Sequence, residues 1–245
     1  MIVQKDLPII RDSLQDGLIA IASDFHFPFQ DDKAISAFIS WCRIKQPQVI
    51  VLNGDVLDFY RLSRFVKGTR GRGIIEELKL ANNFLTELRE TCPHSKIYYP
   101  IGNHETRYEK YACQYSPEII DMTMDIYEKM GCDELDIIGC SQVVFNEQFL
   151  CKHGTYVAQK SGMTAIKEME RSYTNGASGH VHRLAKYITR RNGRKYIWLE
   201  TGCMCTMNPE YILEPDWQQG FCSVEFRDNE LYKAKCHEIE DGVIL

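Results

Sequence analysis

Residues 18–58 read LIAIASDFHFPFQDDKAISAFISWCRIKQPQVIVLNGDVLD, and the change of pattern along them decides the fold class. The apolar runs Leu18–Ala22 and Val49–Leu52 are short and bounded by polar residues, which predicts buried strands. Between them Ile35, Phe38, Ile39 and Cys42 recur at helical spacing and make one apolar face. Asp31 or Asp32 can cap that helix, and Gln46–Pro47 ends it before the next strand. Strand, helix and strand in this order form a β-α-β unit with parallel strands.

The rhythm continues downstream. Ile74, Leu78, Ala81, Leu85 and Leu88 mark a second amphipathic helix, and Lys96–Tyr99 follows as a strand, so a parallel central sheet is expected. Pro117–Met130 reads as a further helix. The pattern then turns to short strands at Gln142–Phe145 and Phe149–Lys152. Asn192–Gly193, between the runs Lys186–Thr189 and Tyr196–Leu199, supplies the positive φ angles of a hairpin turn. A last hairpin is expected to turn at Arg227–Asn229.

No repeat, low-complexity tract or linker-like stretch divides the chain, and residues 1–245 are expected to form one domain. With 44% hydrophobic and 26% charged residues, a disordered or fibrous chain is excluded. The segment Met1–Ser13 is interrupted by Lys5, Asp6, Arg11 and Asp12, and no run is long enough to span a bilayer. Ten cysteines scattered from Cys42 to Cys236 in a chain of this size point to reduced thiols and a cytoplasmic location. Cys203 and Cys205 lack a second thiol or histidine pair at zinc-finger spacing and are read as structural.

The chemistry-bearing residues come just after predicted strands, where an open α/β sheet binds its ligands. They are Asp24-Phe25-His26, Gly54-Asp55 with Asp58, Gly102-Asn103-His104-Glu105, His153-Gly154 and Gly179-His180-Val181-His182. Five of the seven histidines of the chain lie in these motifs. Each motif alone is weak, since a lone histidine is most often a satisfied structural residue. Together they offer carboxylate oxygen, amide oxygen and imidazole nitrogen, a donor set suited to manganese, iron or zinc rather than to calcium.

The order D-x-H, G-D-x-x-D, G-N-H-E, H-G, G-H-x-H resembles the calcineurin-like metallophosphoesterase superfamily, and Gly54–Tyr60 looks most like its compact bacterial or bacteriophage members. The resemblance spans Asp24 to His182. It implies an α/β fold, a four-layer αββα sandwich with a dinuclear metal site at strand ends. It also implies two divalent ions, with manganese the first expectation and iron, zinc, nickel, cobalt or magnesium as alternatives. Asp24, His26 and His182 would hold one ion, Asn103, His153 and His180 the other, and Asp55 would bridge them. A hydroxide shared by the ions would attack the phosphoester. His104 would protonate the leaving oxygen and Asp58 would orient its imidazole.

The substrate is less marked. Serine/threonine protein phosphatases of this superfamily follow the second aspartate with Arg-Gly, whereas this chain has Phe59-Tyr60. Arg61 and Arg107 are candidates to grip phosphate oxygens in place of the missing arginine. The basic stretches Arg61–Gly73 and Arg183–Lys195 read as flexible elements able to follow a polyanion, and Phe25, Phe27, Phe59, Tyr60 or Tyr156 as surfaces on which a base could stack. A nucleotide or nucleic-acid phosphoester is therefore the favoured substrate. A phosphoprotein phosphatase and a catalytically silent, metal-bound scaffold are the alternatives. No heptad pattern bears on oligomeric state.

Overall fold

A computed structural model describes residues 7–63, 72–115, 125–158, 160–209 and 214–245. The β-α-β unit at its centre is β2 (Gly17–Ala22), α1 (Asp32–Lys45) and β3 (Val49–Leu52), which follow β1 (Ile9–Asp12). Helix α1 starts where the Asp31 carboxylate accepts from the Lys33 and Ala34 amides, and ends where Gln46 turns left-handed at φ 43°. Helix α2 (Ile74–Thr91) and β4 (Lys96–Pro100) repeat the unit, followed by α3 (Thr106–Tyr115), α4 (Ile126–Lys129) and β5 (Ile137–Cys140). Strands β2, β3, β4 and β5 run parallel. The sheet is completed by β11 (Gly220–Arg227), β12 (Glu230–Glu240) and β13 (Val243–Ile244), giving the order β13-β12-β11-β2-β3-β4-β5.

A second sheet has the order β1-β6-β7-β8-β10-β9. Its strands are β6 (Gln142–Phe145), β7 (Phe149–Cys151), β8 (Asn175–Ser178), β9 (Leu184–Arg191) and β10 (Arg194–Thr201), and α5 (Met163–Ser172) precedes β8. Alternation along β2 and β3 explains the layering. Ile19, Ile21, Val49 and Val51 face the second sheet and pack with Phe145, Phe149, Leu199 and Val224. Ala20, Ala22, Ile50 and Leu52 face the helices and meet Phe38, Leu85 and Leu88. On the far side of the second sheet, Ala165 and Met169 of α5 pack on Leu150 and Trp198. The result is helices, sheet, sheet and helix, the four-layer αββα sandwich that the family resemblance implied.

Both expected hairpin turns are present. Asn192 and Gly193 lie at φ 51° and 77°, Asp228 and Asn229 at 50° and 64°, the paired positive angles that let two residues reverse a twisted ribbon. Two expectations fall largely outside the described residues and two change. Residues 116–124, most of the expected helix Pro117–Met130, lie outside the described residues; among the described part of that span, Ile126–Lys129 is helix as expected, and α3 stands where none was expected. Residues 64–71 of the first basic stretch also lie outside them. The second basic stretch is the regular β9–β10 ribbon rather than a flexible element. Phe25, Phe27 and Phe59 are buried in the core, packed as apolar side chains and closed to a base. Among the described residues no helix is long and apolar enough to cross a membrane.

Candidate metal centre

The functional side chains all follow C-terminal strand ends: Asp24 and His26 after β2, Asp55 and Asp58 after β3, Asn103 and His104 after β4, His153 after β7, and His180 and His182 after β8. The first three strands belong to one sheet and the last two to the other, so the site lies where the two sheets bring their ends together. The loops are stitched across that seam. The Asn53 amide donates to the Lys152 carbonyl at 2.8 Å. The His180 amide donates to the Asp24 carboxylate at 3.0 Å, and within the first sheet the Asp24 and His26 amides donate to the Gly54 and Asp55 carbonyls at 3.1 and 3.0 Å.

Five side chains of the motif set, Asp24, His26, Asp55, His180 and His182, stand on left-handed backbone with φ between 52° and 73°. Such a conformation costs a non-glycine residue about 1 kcal/mol or more and persists where surrounding structure over-determines it. Gly102 has no room for a side chain, because a Cβ would strike the carboxylate and amide of Asp55.

Atom separations show what the cluster can hold. Two ligand atoms about 2.1 Å from one cation stand about 3.0 Å apart at a right angle and about 3.4 Å apart at the tetrahedral angle. His26 Nε2 and His182 Nε2 are 3.0 Å apart. Asp24 Oδ1 is 3.2 Å from His182 Nε2 and 3.7 Å from His26 Nε2. In the adjoining group His153 Nε2 lies 3.1 Å from Asp55 Oδ2 and 3.1 Å from Asn103 Oδ1. The ligating atoms of Asp55, His153 and His180 all lie within 4.8 Å of one another. Asp55 Oδ2 is also 3.9 Å from His26 Nε2, so one oxygen reaches toward both groups.

Tautomers strengthen the fit. His153 Nδ1–H donates to the Asn53 carbonyl at 2.9 Å, and His26 Nδ1–H donates to Asp58 Oδ2 at 3.1 Å. Each bond turns the Nε2 lone pair into the site. With Nε2 of His26 then an acceptor, its 3.0 Å approach to His182 Nε2 is favourable only with a proton or a cation between them. The donor set thus fits divalent cations.

Burial resists ionisation of Asp24, but His182 and His26 outweigh it and hold the carboxyl far below the usual carboxylate range. The same balance, with His153 and His104 as partners, holds Asp55 down, and His104 and His26 hold Asp58 down. Burial alone would lower His153, yet the Asp55 carboxylate lifts it to about 10. His26 is likewise lifted against burial by Asp24 and Asp58, whereas burial leaves His180 and His182 below the ordinary imidazole value. Three buried carboxylates therefore share one site, and such a set needs compensating positive charge.

His104 stands at the edge of the cluster, its side chain 12% exposed. Its Nδ1–H donates to the Asp58 carbonyl at 3.0 Å, with Asp58 Oδ2 at 3.3 Å, and its Nε2 accepts from Arg107 Nη2 at 2.7 Å. Arg107 Nη1 donates to the Asp58 carbonyl at 2.9 Å. Neither Arg61 nor Arg107 is among the residues lining the hollows at the site; Arg107 reaches it through His104 and Asp58, whereas Arg61 Nε donates to the Arg72 carbonyl at 3.1 Å.

Several residues gain a role that no expectation gave them. Glu105 is buried and accepts from the Asp55, Leu57 and Gly102 amides at 2.9–3.0 Å and from the Tyr99 hydroxyl at 2.7 Å, tying the loops after β3 and β4 together. Its place in the G-N-H-E motif was the available signal. Glu77 lies behind Asp58 and accepts from the Phe59 amide at 2.8 Å. Burial, then the charge of Asp58, pushes Glu77 up to about 8, so a neutral carboxyl backs the site at neutral pH. Trp217 packs edge-on against the His182 ring at 4.2 Å, and no local pattern marks it.

Residues 17–226 match the model of a family described as calcineurin-like phosphoesterase. The Gene 54 protein of Mycobacterium phage L5 is 28% identical over 225 residues, covering 83% of this chain and 86% of the phage protein. The Gene 54 protein of Mycobacterium phage D29 is 26% identical over 222 residues at the same coverage. Vacuolar Protein Sorting 29 from Cryptosporidium parvum superposes with a TM-score of 0.54 at 14% identity, covering 95% of this chain and 96% of that one, a likeness of fold alone.

Proposed function

Because the chain belongs to the calcineurin-like phosphoesterase family, we propose that it hydrolyses a phosphoester, favouring nucleotide or nucleic-acid esters, with two divalent ions of which manganese is the first expectation. Asp24, His26 and His182 would hold one ion, Asn103, His153 and His180 the other, and Asp55 would be shared. The observation that carries this reading is the reach of Asp55 Oδ2, 3.1 Å from His153 Nε2 in one group and 3.9 Å from His26 Nε2 in the other. When bound, two such cations acidify a shared water and neutralise charge on the phosphate oxygens.

The chain's own groups supply the remainder. Asp58 fixes His26 through Nδ1 and, through its carbonyl and carboxylate, fixes His104. His104 Nε2, which lies 3.8 Å from Asp55 Oδ2, is the proton carrier for the leaving oxygen. Arg107 occupies that nitrogen at rest. Phosphate oxygens compete for its guanidinium, and as it turns to them Nε2 is released to carry a proton. Its bonds to His104 and Asp58 support Arg107 over Arg61 as the arginine that grips phosphate.

Hydrolysis of bis(p-nitrophenyl) phosphate and p-nitrophenyl phosphate with manganese, with and without chelator, tests the proposal. Chelator-sensitive turnover is expected, lost together with metal in Asp55→Ala and slowed with metal retained in His104→Ala. Bound metal without turnover of either ester, and no effect of His104→Ala, would favour the scaffold alternative.

A further inference from the structure

We propose that the hollow walled by Phe29, Tyr60 and Trp217 is a nucleobase seat, so that the ester cleaved beside it is that of a nucleoside. The inference rests on reading the adjoining cluster as a phosphoester hydrolase centre. The hollow is continuous with that cluster, for His26, Asp58 and His182 line it together with the three aromatic side chains.

The walls are built differently from the aromatic core. Phe25, Phe27 and Phe59 are buried, whereas Phe29, Tyr60 and Trp217 are each half-buried at the hollow's surface. Phe29 and Tyr60 meet edge to face with centroids 5.3 Å apart. Trp217 stands one ring from the metal-facing imidazole of His182, at 4.2 Å. Hard ligands on one side of a hollow suit a phosphate, and aromatic walls one ring away suit a flat π group joined to it. A nucleoside phosphate carries both parts. Asn208, exposed on the lining, offers an amide donor and acceptor of the kind that reads a base edge.

The Trp217 wall is held in place before substrate arrives. The Arg183 guanidinium forks onto Asp216 through two bonds of 2.9 Å and donates to the Ala158 carbonyl at 2.7 Å. On the other flank the Gln218 amide donates to the His182 carbonyl at 2.8 Å, and the Gln218 side-chain oxygen accepts from Leu184 at 3.0 Å. Trp217 is therefore tied on both sides to the segment that carries His182, so little ordering is left for binding to accomplish.

The test compares two diesters with the same leaving group, thymidine 5′-(p-nitrophenyl phosphate) and methyl p-nitrophenyl phosphate, with manganese. Base–aromatic stacking predicts a kcat/KM ratio favouring the thymidine ester by about 5- to 150-fold. Trp217→Ala should collapse that ratio to within threefold of one, and Trp217→Phe should restore most of it. Phe29→Ala should lower the ratio as well, which keeps the test decisive if Trp217→Ala does not fold. Chelator-sensitive turnover of both esters with a wild-type ratio near one, or a ratio that neither alanine variant lowers, would overturn the base seat and leave the hydrolase reading standing. Failure of metal-loaded protein to cleave either ester would overturn the hydrolase reading and the base seat with it.

Discussion

Replacing Asp58 by asparagine keeps the side-chain shape and removes one charge from the point where two imidazoles are held. Asp58 Oδ2 is 3.1 Å from His26 Nδ1 and 3.3 Å from His104 Nδ1, and Arg107 Nη1 lies 3.3 Å from its other oxygen. A hydrogen bond to a charged group is worth about 1.5 kcal/mol more than a neutral one in a buried site. His26 loses that difference outright, while His104 keeps its bond to the Asp58 carbonyl and loses at most as much through the weaker 3.3 Å contact with Oδ2, a total of at most about 3 kcal/mol or a factor of about 150. The two halves should appear in different measurements. Loosening of His26, a proposed ligand, weakens metal binding by about tenfold, within the range of such second-layer effects. Loosening of His104, the proposed acid, lowers kcat by at most about tenfold at saturating metal. Manganese titration followed calorimetrically, with kcat measured at each metal concentration, separates them. Metal affinity and saturated kcat both within threefold of the parent would refute the assignment of Asp58 as the group that positions these imidazoles.

Two further predictions concern stability. Glu105→Ala strips the acceptor from three backbone amides and the Tyr99 hydroxyl in a buried site, and should cost about 4 kcal/mol, while Glu105→Gln should recover part of it; urea unfolding with an unchanged m-value checks this. Burial first, then Lys235 and Lys45, lower His237 to about 4, where it lies against Phe221 and Trp41 and bonds Ser223 at 2.8 Å. The folded state therefore holds a proton on this ring less readily than the unfolded chain, whose value is about 6.5. Its contribution is fully present above about pH 6.5 and is lost as pH falls toward about 4, amounting to about 2 kcal/mol after allowance for partial exposure. His237→Gln should flatten the acid limb of the stability–pH curve, and an unchanged limb would rule this group out.

Sequence reading worked where the cause of a structure lies in its own segment. The runs at β2 and β3, the Asp31 cap, the Gln46 stop and the Asn192–Gly193 turn each carry their reason within a few residues. It failed where the reason is remote. Strand β8 reads Asn-Gly-Ala-Ser, with no strand-forming side chain, and exists because β7 and β10 pair with it on either side. Helix α5 has no local side-chain cap; Glu200 of β10 accepts from the Gly162 and Ala165 amides at 2.9 Å and does that work from another strand. The proposed ligands were legible because each sits in a short motif after a strand. Trp217 was not, since it reaches His182 only through the fold.

The central claim is a shared metal centre built on Asp55, and metal content measured with turnover on one sample tests it most directly. Mass-spectrometric metal analysis of the manganese-loaded chain, alongside hydrolysis of bis(p-nitrophenyl) phosphate, should give two divalent ions per chain and turnover abolished by chelator. Asp55→Ala should lose metal and turnover together. Full metal content in Asp55→Ala, or turnover that survives removal of the metal, would contradict the account.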